Sequence, residues 1–163
     1  HCYLEQLTEI IKDYISMQIE AGADCIQIFD SWGGLLDEKY EELSLNYINQ
    51  IASSVQNDIP VILYTRDKLI DEIINSTPIK CFNLDSSDEI DKHIDKKIAV
   101  QGNFNPKNFH ADKEELKQMA QLVHTKYKDR KNYIFNLGSG LTPDINPDKV
   151  GYFLNELSSF GSK

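Results

Sequence analysis

Five times along this chain of 163 residues a short apolar run ends in a polar or glycine-bearing loop, and a helical pattern follows. The runs are Ala23–Asp30, Val61–Thr65, Cys81–Asp85, Ile98–Gly102 and Tyr133–Leu137. No hairpin signal joins any two of them, so the strands they predict are parallel, with helical crossovers between. Val61-Ile62-Leu63 lacks polar alternation, as expected for strands covered on both faces.

The intervening segments carry helical periodicity. Leu4, Leu7, Ile10, Ile11, Tyr14, Ile15 and Ile19 form one stripe that Gly22 stops. Helices are predicted over Glu38–Val55, Lys68–Asn75, briefly over Asp88–Ile94, and over Asp148–Phe160. Another begins at the capping pair Asp112 and Glu115 and runs to Tyr127. No linker or low-complexity tract interrupts the pattern, which predicts a single domain over 1–163. Two architectures fit five parallel strands: an open doubly wound sheet, or an arc of an eightfold β/α barrel, which typically needs about 250 residues.

Charge and composition remove several function classes. A net charge of −9 offers no basic stripe for nucleic acid. No apolar run approaches the roughly 20 residues of a membrane helix. His1-Cys2-Tyr3-Leu4-Glu5 lacks the basic start and apolar core of a signal peptide. Cys2, Cys25 and Cys81 are odd in number and widely spaced, which predicts reduced thiols in the cytoplasm, with Cys25 a small core residue on a strand.

In either architecture the residues just past the strand carboxyl ends face a ligand. They are Asp30-Ser31-Trp32-Gly33-Gly34, Thr65-Arg66-Asp67, Asp85-Ser86-Ser87, Gly102-Asn103-Phe104-Asn105-Pro106 and Gly138-Ser139-Gly140. Hydroxyls, amides and carboxylates dominate, with one cation, Arg66, a candidate anion ligand. The same residues have plainer uses. Asp30 and Asp85 are also suited to helix caps, Arg66 to an ion pair with Asp67 or Asp30, and Trp32 to loop packing. No G-x-G-x-x-G follows the first strand, and no Walker-type loop or G-x-S-x-G elbow occurs. His93, His110 and His124 share no metal-ligand spacing, and each reads as part of a solvated helix face or loop.

Read in order, the strand ends resemble the uroporphyrinogen decarboxylase family. The matching segments are Ala21-Gly22-Ala23 through Ile28-Phe29-Asp30-Ser31-Trp32-Gly33-Gly34, Val100-Gln101-Gly102-Asn103, Asn136-Leu137-Gly138 and Pro147-Asp148-Lys149-Val150-Gly151. The resemblance implies an incomplete TIM-type (β/α) barrel of five sequential parallel strands with outer helices. It makes this chain the carboxyl-terminal part of such an enzyme, holding the last five strands. The implied reaction removes four acetate carboxyls from uroporphyrinogen III to give coproporphyrinogen III, with no metal and no cofactor, in a cytoplasmic homodimer.

Ser31 matches the family's substrate-contacting Ser/Thr, and Ser139 stands where the family has the histidine of Asn-Leu-Gly-His-Gly. Ser86 and Asn105 depart from the usual Trp and Asp. The family's catalytic aspartate, arginines and substrate-contacting tyrosine match no segment here, so no catalytic residue is assigned and the chain alone is expected to be inactive. Two other readings compete. A corrinoid-linked methyltransferase of the related barrel type needs zinc ligands in a His-x-Cys pattern, which Leu63-Tyr64-Thr65-Arg66 does not offer. A non-catalytic remnant or binding module fits the three departures.

Overall fold

A computed structural model describes residues 1–55, 58–66, 70–86, 89–93 and 97–161. Asp67 and Ser87 lie outside these, as do the start of the helix expected from Lys68 and parts of the brief helix expected over Asp88–Ile94. The described elements are helix α1 (Cys2–Glu20), strand β1 (Ile26–Asp30), helix α2 (Asn46–Val55), β2 (Val61–Thr65), the short α3 (Ile70–Ile73) and β3 (Cys81–Asn83). After them come β4 (Ala99–Gln101), α4 (Lys113–Tyr127), β5 (Tyr133–Ile134) and α5 (Pro147–Gly161).

The five strands form one parallel sheet in the order β1-β2-β3-β4-β5. A doubly wound sheet must reverse at a switch point, and this one does not. Curvature is visible in the side chains. Strands stand about 4.8 Å apart, which puts β4 about 14 Å from β1 along the sheet. Yet Gln101 of β4 donates from Nε2 to Gln27 Oε1 of β1 at 2.9 Å. Only a sheet curled towards that face brings the two amides together.

The pleat sorts the strands into two faces. Ile26, Val61, Leu63, Phe82 and Val100 point to the helices and pack with Ile15, Ile48, Ile51 and Val55 in the main core. The opposite, concave face carries the row Phe29, Tyr64, Asn83, Gln101 and Ile134, each paired in register with the next. A second core lies under α4 and α5, where Phe109, Leu116, Ala120, Ile145 and Phe153 are buried and Phe104 stacks 4.5 Å from Phe153. The Asp112–Glu115 capping box closes the start of α4, with Glu115 N donating to Asp112 Oδ1 at 2.9 Å and Asp112 N to Glu115 Oε2 at 3.0 Å.

Several sequence expectations change in three dimensions. The helix expected over Glu38–Val55 is α-helical only from Asn46. Before it run a 3-10 segment, Gly33–Lys39, and a π turn, Glu41–Leu45, with Asp37 at φ 47°. Asp30 accounts for the tighter path: it accepts a hydrogen bond from Ser44 Oγ at 2.9 Å and stands against the Tyr40 hydroxyl, pulling this stretch onto the end of β1. Cys25 is exposed and precedes β1 rather than sitting in it. The α1 stripe divides. Ile15 is buried and packs inward, whereas Leu7, Ile10 and Tyr14 share an exposed face with Tyr3 and Met17.

Candidate functional site

The loops after the strands converge at the carboxyl end of the sheet. Two glycines set how close they come. Gly102 has φ +117°, and an added Cβ would sit 2.9 Å from the Leu84 carbonyl oxygen. At Gly138 a Cβ would collide with the backbone nitrogen of Ser86, so the loop after β5 lies directly on the loop after β3.

A cleft of about 490 Å³ opens there, lined by Gln27, Ser31, Tyr64, Arg66, Asn136 and Ser139 among others. Ser31, Arg66 and Ser139 come from three different loops, and the fold brings all three to this cleft. The Arg66 guanidinium carbon lies 5.5 Å from the centroid of the Trp32 ring, a cation–π geometry that holds the charge near the opening. Trp32 itself is largely exposed. Among the described residues lining this cleft there is no carboxylate.

The aspartates of the strand ends lie elsewhere. Asp30 is engaged with Ser44 and Tyr40; burial first, then the Asp30 charge and hydrogen bond, push the Tyr40 phenol well above its usual range. Gly33 packs so tightly beside this pair that a Cβ would run into the Asp30 carboxylate and the Tyr40 ring. Asp85 lines a second cleft of about 610 Å³ with Ser86, Asn105, Lys107, His110 and Asp144. Ser139 and Gly140 border both clefts. Thus the three positions that depart from the family pattern, Ser86, Asn105 and Ser139, lie together on one surface. His110 Nε2 is 3.2 Å from Asp144, whose carboxyl is lowered mainly by a hydrogen bond from the Thr142 side chain. His124 stacks near Phe160, whereas His93 is buried, contrary to the solvated position expected for it.

Beneath the first cleft runs a set of amides that the sequence reading passed over. Asn83 Oδ1 accepts from Gln101 Nε2 at 2.7 Å and from Asn136 Nδ2 at 3.2 Å. Gln101 Nε2 also donates to Gln27. Asn83 and Gln101 are each 5% exposed, so their polarity is satisfied within the network rather than by solvent. Gln101 and Asn136 lie in the segments that match the family pattern, and Gln27 and Asn83 show as polar residues at inward positions of otherwise apolar strands.

A further cleft of about 340 Å³, lined by Pro60, Val61, Pro78, Ile79 and Cys81 among others, opens at the amino ends of the strands. It lies away from the end where such folds do their chemistry. Among the described residues no three His, Cys, Asp or Glu side chains group as metal ligands, and no helix is long and apolar enough to cross a membrane.

These features define an incomplete β/α barrel, one open sheet of five parallel strands, with a polar, cation-bearing cleft at the strand carboxyl ends. Comparison with known proteins names the family. The sequence profile described as "Uroporphyrinogen decarboxylase (URO-D)" matches residues 1–160, and the chain belongs to that family. Relatives called uroporphyrinogen decarboxylase include those of Pseudoalteromonas translucida, 33% identical, and Hydrogenovibrio crunogenus, 34% identical. Each is matched over 100% of this chain and 49% of its own length, so the chain spans about half the length of these relatives. A solved Listeria monocytogenes structure, assigned as a vitamin-B12 independent methionine synthase, superposes with a TM-score of 0.65 over 99% of this chain and 56% of its own. At 15% identity that likeness is one of fold.

Proposed function

We propose that this chain is one domain, the carboxyl-terminal part of a uroporphyrinogen decarboxylase-like barrel. In the intact cytoplasmic homodimer it helps convert uroporphyrinogen III to coproporphyrinogen III by loss of four acetate carboxyls. The observation that carries the reading is the cleft itself: Ser31, Arg66 and Ser139 meet at a strand-end site free of carboxylates among its described residues. Such a site suits a polycarboxylate, which one guanidinium and several hydroxyl donors recognise through charge-assisted hydrogen bonds.

The chemistry protonates a pyrrole carbon, and the resulting cation accepts electrons as carbon dioxide departs; the methylene left behind then takes a proton to become methyl while the ring carbon gives its own back. A carboxylate must stand beside that cation. Asp30 is committed to Ser44 and Tyr40, and Asp85 belongs to the neighbouring cleft, so this chain supplies substrate contacts and its complement the catalytic carboxylate. The test is to incubate the chain with uroporphyrinogen III under reducing conditions, alone and with the amino-terminal half of a family member. Coproporphyrinogen is expected only in the combined sample. Product from the chain alone, abolished by Asp85→Asn, overturns this division of roles.

A second reading, a non-catalytic binding module, draws support from the clustering of Ser86, Asn105 and Ser139 on one surface. It predicts tetrapyrrole binding without product in the combined sample.

A further inference from the structure

The amides beneath the cleft form a directed chain, and its direction follows from two backbone anchors. At one end the Leu137 N–H donates to Asn136 Oδ1 at 2.8 Å, which turns Asn136 Nδ2 towards Asn83. At the other anchor Asn83 Nδ2 donates to the Leu84 carbonyl at 3.3 Å, which turns Asn83 Oδ1 towards its neighbours. Both anchors therefore require Asn83 Oδ1 to accept. Gln101 must then present Nε2, and it does, giving one hydrogen to Asn83 at 2.7 Å and the other to Gln27 at 2.9 Å. Gln27 can meet that donor only with its carbonyl oxygen. A flip of any one amide would set donor against donor or acceptor against acceptor at a buried position.

Gln27 lines the cleft that holds Arg66, Ser31 and Ser139, and with its carbonyl oxygen turned to Gln101 the donors it has for that cleft are its Nε2 hydrogens. We propose that Gln27 is a ligand-reading residue: an amide whose N–H donors are fixed towards a bound carboxylate by the Asn136–Asn83–Gln101 chain. This deepens the reading of the cleft as a polycarboxylate site and rests on it. Preorganisation is the physical gain, because a free glutamine presents oxygen and nitrogen equally and must be oriented at binding. The chain also ties Gln27 on β1 to the loop carrying Ser139, so donors on opposite walls of the cleft share one framework.

The test is titration of the whole chain with uroporphyrin, a stable octacarboxylate probe, at low ionic strength, with melting temperature recorded for every variant. Gln27→Met keeps the side-chain length and removes the donors; Gln27→Glu replaces them with a negative acceptor. Both are expected to bind more weakly, the glutamate by roughly tenfold or more; Gln27→Glu keeps an acceptor for the buried Gln101 donor and should melt as the native chain does, whereas Gln27→Met leaves that donor unpaired and should melt lower. Gln101→Met removes the donors that hold Gln27 without adding charge, and should weaken binding in the native background but not in the Gln27→Met background. Native binding with unchanged affinity in both Gln27 variants overturns the inference and leaves the polycarboxylate reading standing. A loss of affinity confined to Gln27→Met, with Gln27→Glu binding as the native chain does, assigns Gln27 a structural role and also overturns it. Absence of uroporphyrin binding by the native chain removes the reading and this inference together.

Discussion

At the scale of single residues, Ser139 is the most consequential position. It borders both clefts with a hydroxyl where the family pattern has an imidazole. In the intact enzyme Ser139→His is expected to tighten tetrapyrrole binding or raise turnover by no more than about 1.5–3 kcal/mol, the value of one charged-group hydrogen bond. Unchanged affinity and turnover in an active parent would show that position 139 makes no ligand contact. Cys81 gives a prediction in pH. Burial first, then nearby Cys25, raises its thiol from 9.0 to about 11. Below pH 9 both folded and unfolded forms keep the proton; between 9 and 11 the unfolded chain ionises first, so stability falls as pH rises through that window. Denaturant midpoints at about pH 8 and about pH 10 should converge in part for Cys81→Ala. An identical decline in native and variant chains would contradict this. The placing of Ser31, Arg66 and Ser139 at one end of the sheet was legible because each lies within two residues of the end of an apolar run. Gln27, Asn83 and Gln101 were not, because their contacts depend on sheet register and curvature that no local pattern encodes.

At the scale of elements, the loop after β5 depends on Gly138. An alanine there would meet the Ser86 backbone, which cannot swing aside as a side chain does. Gly138→Ala is expected to cost about 1–3 kcal/mol, as overpacking commonly does, and to spoil the wall the two clefts share. Thermal melting and uroporphyrin titration read both effects, and an unperturbed variant would mean the loops are not held this close. The capping box was readable from Asp112 and Glu115 alone, since its chemistry is local. The path from Gly33 to Leu45 was not, because the Asp30 contacts that draw it off a regular helix span 14 residues. Likewise β5 is regular for only two residues, while Phe104 N–H to Asn136 O and Gly138 N–H to Phe104 O carry its ladder onward.

For the whole molecule, parallel pairing was legible from the absence of hairpin signals and sequential order from the family resemblance, whereas which residues stay exposed depends on strand parity. Ile26 is 5% exposed because its parity turns it towards the helices. Phe29, three residues on and of opposite parity, is 68% exposed on the concave side. With Ile134 there and Tyr3, Ile10, Tyr14 and Met17 on α1, the chain shows apolar surface on both sides of the sheet. The isolated chain should bind a hydrophobic dye and self-associate with rising concentration. A dye-silent monomer with a sharp melting transition would count against the exposed faces described here.

The central claim is that the strand carboxyl ends of this chain hold the tetrapyrrole. Backbone amide NMR during uroporphyrin titration tests it most directly. The account predicts saturable shifts at Ser31, Arg66 and the Gly138–Ser139–Gly140 loop, with Ile59, Ile79 and Lys80 at the amino-end cleft unmoved. Shifts confined to that amino-end cleft, or to the exposed face of α1, would contradict it.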